Sequence, residues 1–109
     1  MLIRVGAHTV DLETNHGKMP GLLACIHPDS DIKPQLRMLE HVAERFADRV
    51  SVYVMVEELT DAFRKKYKID GTPTFLFFQE GQVKDRLLGQ VDVVMLTDFV
   101  TRNSVVFQE

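Results

Sequence analysis

Between Cys25 and Phe46 the chain reads CIHPDSDIKPQLRMLEHVAERF, which gathers most of the residues able to do chemistry. His27, Asp29 and Asp31 alternate with Pro28 and Ser30. Three such oxygen and nitrogen donors on one loop form an incipient divalent-metal set, with His8, His16 or His41 available as a fourth ligand. The spacing matches no structural zinc pattern, however, and Asp beside a helix start more commonly accepts the unpaired backbone N–H groups there. The capping reading is therefore preferred, and no metal is assigned. Cys25 is the only cysteine. It excludes an intramolecular disulfide and a cysteine-rich zinc site. Its sharp reading is a reactive monothiol. Its plain reading is a small buried side chain, because an apolar strand supplies nothing that would stabilise a thiolate.

The bulk numbers bound what these residues can belong to. A chain of 109 residues with 45% hydrophobic and 27% charged content fits one globular domain, read as residues 1–109. A net charge of −3 gives no basic footprint for nucleic acid or an anionic membrane. No apolar run approaches the ~20 residues of a membrane-spanning helix. MLIRVGAHTVDLE lacks the order of a signal peptide. A cytoplasmic protein is the expectation, with its oligomeric state open.

The elements that position the loop follow from periodicity. LIRV and VSVYVMV read as β-branched strands, and GLLACIH, Gly21 to His27, as a strand buried on both faces. HTVDLETNHGKMP reads as a loop with a helical turn after Thr9. Leu36, Leu39, Val42, Ala43 and Phe46 recur at steps of three and four and predict a helix. Asp29 or Asp31 is expected to cap it, and Pro34 suits its first turn. Leu59, Ala62, Phe63 and Tyr67 predict a second helix, with Lys65, Lys66 and Lys68 facing water. Phe75, Phe77 and Phe78 lie on a strand joined by a Glu80–Gly81 turn to another. Asp92 is placed to cap a last helix whose Leu96, Phe99 and Val100 face inward. The tail TRNSVVFQE is ambiguous between fraying and docking. The order implies an α/β domain with a mixed central sheet of about five strands and helices on both faces.

Several of these words resemble thioredoxin. KKYKIDGTPTFLFFQEGQV, Lys65 to Val83, is similar to the tract in which that family carries a Pro-Thr dipeptide, an apolar strand and a charged glycine turn. Gly89 sits where the family keeps a glycine beside its active-site groove. The resemblance covers Leu22 to Val100 and implies a thioredoxin-like three-layer α/β/α sandwich with a cis bond at Thr72–Pro73. Aligned from EHVAERF, the family's Cys-Gly-Pro-Cys falls on Asp29-Ser30-Asp31-Ile32, its tryptophan on Pro28 and its buried acid near Leu23. Anchoring on Pro34 instead brings Cys25 within one residue of the first cysteine, at the cost of a gap inside the helix.

Disulfide exchange needs a thiolate attacker and a second, resolving thiol. The aligned positions hold a carboxylate and a hydrocarbon. The expectation is accordingly a redox-inactive member with no catalytic residue and no cofactor. It would bind a protein or peptide through Pro28, Asp29, Ser30, Asp31 and Ile32, through Gly71, Thr72 and Pro73, and through Leu88, Gly89 and Gln90. Backbone groups near Thr72 would supply main-chain hydrogen bonds, Ile32 and Pro73 would supply apolar contact where exposed, and the two aspartates would favour a basic or amide-rich partner. The alternative is a monothiol redox protein using Cys25.

Overall fold

A computed structural model describes residues 1–10, 19–29 and 31–104. Ser30, His16, the segment expected to be helical after Thr9 and the tail beyond Ser104 lie outside those residues. The elements run β1 (Leu2–Arg4), β2 (Gly21–Ile26), α1 (Lys33–Arg45), β3 (Ser51–Val56), α2 (Asp61–Tyr67), β4 (Thr74–Gln79), β5 (Gln82–Leu88) and α3 (Val93–Ser104). They form one mixed sheet in the order β1-β3-β2-β4-β5. β3 pairs in parallel with both β1 and β2, while β4 runs antiparallel to β2 and to β5.

Period-two alternation explains why the central strands are buried on both faces. Leu22, Ala24 and Ile26 of β2, Val52 and Val54 of β3, and Phe75 and Phe77 of β4 point to one side. There they meet Leu39, Val42, Ala43 and Phe46 from α1, and Leu96, Phe99 and Val100 from α3. Leu23, Cys25, Tyr53, Met55, Leu76 and Phe78 point the other way, onto Phe63, Tyr67 and Ile69 from α2 and its flank. Among the described residues, two helices on one face and one on the other give the three layers of a thioredoxin-like fold. Each phenylalanine taken fully out of water contributes about 1.5–3 kcal/mol. Phe77 and Phe99 also meet edge-on, with ring centroids 6.4 Å apart.

The hairpin turn is made by Glu80 and Gly81, with φ of 53° and 78°. That pair of positive angles matches the twist of the strands it joins. α2 is capped by Thr60, whose Oγ1 accepts from the Phe63 N–H at 3.1 Å. Ala62, expected to face inward, is exposed, because a helix of only seven residues buries just Phe63 and Tyr67. α3 begins as expected, with Asp92 Oδ1 accepting from the Met95 N–H at 2.8 Å. It runs on through the residues read as an ambiguous tail as far as Ser104. What holds the extension is Asn103, almost fully buried, whose amide donates to Asp85 Oδ2 and to the Phe99 carbonyl, both at 2.9 Å.

Candidate functional site

The strand directions bring the predicted site residues to one end of the sheet. β2 ends there at Ile26, β4 begins there at Thr74 and β5 ends there at Leu88; Cys25 is in register with Thr74, and Thr74 with Leu88. Both α1 and α3 start at this end. Pro28, Asp29, Asp31 and Ile32, the segment Gly71 to Pro73, and Leu88 to Gln90 therefore share a rim.

Two of the three segments are directly joined. The Gly89 N–H donates to the Pro73 carbonyl at 2.9 Å. Gly89 makes that approach at φ 100°, a left-handed angle that glycine adopts without steric cost. The Thr72–Pro73 peptide bond is cis. The Thr74 hydroxyl donates to the Gly71 carbonyl and closes the loop below it. Thr72 is half-exposed, and neither its N–H nor its C=O is hydrogen-bonded to a described residue. Pro73 itself is buried, so it offers no apolar contact to a partner. The covering comes from the sheet, which encloses the start of β4 on both sides. The exposed apolar side chain of this segment is Leu88, at 58%, with Gln90 exposed two residues on.

The third segment differs from expectation in how it meets its helix. Asp29 and Asp31 are exposed, but neither caps α1. The N-cap residue is Ile32, and among the described residues no side chain bonds to the first-turn N–H groups. The reason is conformational: Ile32 has φ −85° and ψ −17°, already helical, whereas a capping side chain reaches back from an extended residue. Pro34 occupies the first turn, where the lack of an N–H costs nothing. Ile32 is half-buried and packs on the core. Asp29 turns to His27 instead. Its N–H donates to His27 Nδ1 at 3.1 Å, and its Oδ2 stands 3.8 Å from the same nitrogen. Because Nδ1 is the acceptor, the neutral ring carries its proton on Nε2. Nearby, Gln35 Oε1 is buried without a hydrogen-bond partner.

Cys25 is the next-to-last residue of β2, with 0% exposure, and burial pushes its thiol up to about 12 from the ordinary 9.0. At neutral pH it carries no thiolate and has no path to a substrate sulfur. It belongs to β2 and not to the first turn of α1, so the Pro34-anchored alignment does not place it on the helix tip. Among the described residues, no three His, Cys, Asp or Glu side chains converge as a metal set. His8 and His41 are exposed and take no part in the rim's hydrogen bonding.

One feature of the rim went unread in the sequence. Val93, Val94 and Met95 are all exposed on the first turn of α3, at 39%, 63% and 48%. The signal was available: three consecutive apolar residues on a helix cannot all face one core, since each step turns the side chain by about 100°.

Comparison with known proteins adds a partial likeness. No protein-family model matches the chain. It is 33% identical over 82 residues to a protein of Arabidopsis thaliana named "Putative thioredoxin H10", an alignment covering 69% of this chain and 48% of that one. It is 26% identical over 65 residues to the chloroplastic M-type thioredoxin of Spinacia oleracea, covering 60% of this chain and 36% of that one. The chain thus spans between about a third and a half of the length of these relatives. Taken with the sheet order and the three layers, these weak, partial similarities support a thioredoxin-like family for the chain.

Proposed function

We propose that the chain is a redox-inactive thioredoxin-like domain that holds a protein or peptide segment at the rim and serves as a chaperone, an adaptor or a subunit of a larger complex. One observation carries the reading. The helix tip aligned with the family's reactive sulfur holds Asp29, Asp31 and Ile32, while the only thiol is sealed inside the sheet. The rim keeps what docking needs without the sulfur chemistry. Thr72 offers an N–H and C=O that no described residue bonds, for strand-like main-chain bonds, Leu88 offers an apolar contact, and two exposed carboxylates favour a segment bearing Lys or Arg. The domain needs no oxidising compartment, and the cytoplasm is its proposed location.

The test pairs docking with chemistry. An immobilised array of extended peptides should retain the native chain on basic–apolar sequences and lose it with an Asp29→Lys, Leu88→Ser double variant. Both substituted side chains are exposed, so the fold survives. Equal retention of the two proteins removes the rim from the account. Insulin reduction should proceed no faster with the chain than without it, and a thiol reagent should label Cys25 only in denaturant. Rapid labelling of the native protein would restore the monothiol alternative.

A further inference from the structure

Leu96, Phe99 and Val100 mark the side of α3 that faces the core. A helical step turns each side chain by about 100°, so Val94 falls almost opposite them, with Val93 and Met95 on the two flanks. Val94, Val93 and Met95 are 63%, 39% and 48% exposed. Neither packing nor helix formation accounts for them. The core is closed without them, and two adjacent valines are poorer helix formers than the Glu, Gln or Lys that suits an exposed turn.

This turn adjoins the rim. The chain leaves β5 at Leu88, bonds the Pro73 carbonyl through the Gly89 N–H, packs Val91 on the core and enters α3 behind its Asp92 cap. That short path keeps Leu88 and Val94 within about 21 Å of each other. Leu87 packs on the core beneath α1 and α3, so by alternation Leu88 faces the other side of the sheet. Leu88 and Val94 thus flank the Gly89 loop from its two sides. The space above that loop is open: a Cβ placed on Gly71 or on Gly89 would meet no atom within 4 Å. The exposed charges leading into α1 and α3 are Asp29, Asp31 and Asp92 against Lys33, and Asp98 follows one turn after Val94. A second copy seated on the turn would bring Asp92 and Asp98 against their equivalents, which like charges disfavour, whereas a cationic segment is attracted by the same groups.

We infer that the first turn of α3 is a second apolar contact for the segment held at the rim, so that the partner presents an extended stretch with two apolar side chains on one face and Lys or Arg between and around them. This rests on the docking proposed above and adds which kind of sequence is held. In an extended chain bonded at Thr72, residues four positions apart point the same way and stand ~13 Å from each other. One apolar side chain meets Leu88. The other crosses the Gly89 loop, where no side chain stands in its way, and lies on Val94 and Met95. The methionine thioether is pliable enough to fit side chains of different shape.

The experiment titrates the full chain into two dye-labelled synthetic peptides of lysine and threonine, one with two leucines four positions apart and one with a single leucine, and reads fluorescence anisotropy. The two-leucine peptide should bind about tenfold more tightly, the effect of burying one more leucine. A Val94→Gln, Met95→Gln double variant, in which both replaced side chains are exposed, should lose that gain and hold the single-leucine peptide as the native chain does. The unchanged second affinity also shows that the variant is folded. No gain from the second leucine, a gain that survives in the variant, or an equal loss of both peptides in the variant overturns the two-contact arrangement, while native binding of the single-leucine peptide leaves the rim standing. Failure of the native chain to bind either peptide overturns the rim and this inference with it. A native dimer in sedimentation that the variant lacks assigns the turn to a second copy and also overturns it.

Discussion

Helices α1 and α3 lie on the same face of the sheet, start at the same end of it and share one core, yet they are secured differently. α3 is pinned at both ends by side chains. Asp92 receives the Met95 N–H at its start, and Asn103 ties its last turn to Asp85 on β5. α1 has no side-chain cap at its start, where it also buries an unpartnered Gln35 oxygen. It is held by its apolar seam of Leu39, Val42, Ala43 and Phe46, with Arg49 stacked 5.0 Å from the Phe46 ring. The difference teaches where each helix keeps its polar groups. Those of α3 are consumed in fastening it. Those at the start of α1 stay unspent, with Asp29 and Asp31 standing in water beside helix N–H groups they do not bond.

The comparison can be broken at four points. The largest effect is expected at Asn103. Truncation to Ala strips Asp85 of its strongest partner and takes the side-chain donor from the Phe99 carbonyl, so urea unfolding should show a loss of about 1–3 kcal/mol. Next, Asp92→Ala should cost about 1 kcal/mol, the usual worth of a cap, whereas Asp31→Ala should stay within ~0.5 kcal/mol of native. Equal losses from the two would mean that α1 is capped after all. A smaller change of opposite sign is expected at Gln35. Its replacement by Met removes the unmet acceptor while filling the same space, and should raise stability by less than about 1 kcal/mol.

The smallest effect is in the acid limb of the pH profile. The Asn103 amide, helped by the Arg86 N–H and by Arg102, holds the Asp85 carboxyl below its ordinary 3.8, against an opposing push from partial burial. The unfolded chain therefore takes up a proton before the folded one does. The stabilisation is present above pH 3.8 and drains away as pH falls below that value through the folded one. The group is 36% exposed, so solvent screens much of it. Asn103→Ala should flatten this limb; an unchanged slope would assign the acid sensitivity elsewhere.

Much of the framework was legible because it rests on local rules. A nearly continuous apolar run marked β2 and adjacent phenylalanines marked β4 as buried on both faces, the three-four seam marked α1, and Glu80–Gly81 marked the hairpin. The site was less legible, because its properties are tertiary. Whether Asp31 caps α1 depends on the dihedral angles of Ile32, and those depend on how the loop leaves β2. Whether Pro73 is accessible depends on strands distant in sequence. Asn103 fell in a tail that read as ambiguous between fraying and docking, and only its partner on β5 turns it into a clasp. Cys25 was readable as interior, since an uninterrupted apolar run on both sides leaves a thiol nothing polar to face.

The strand order also bears on how the domain behaves in a crowd. Its two outer strands are a three-residue β1 and a β5 that presents Gln82, Lys84 and Arg86 to water. Lys84 is further anchored to the Asn103 carbonyl at 3.3 Å. A short border and a positively charged one are poor templates for runaway sheet growth between molecules, so concentrated samples should resist fibril formation even though the strands within are among the most apolar stretches of the chain.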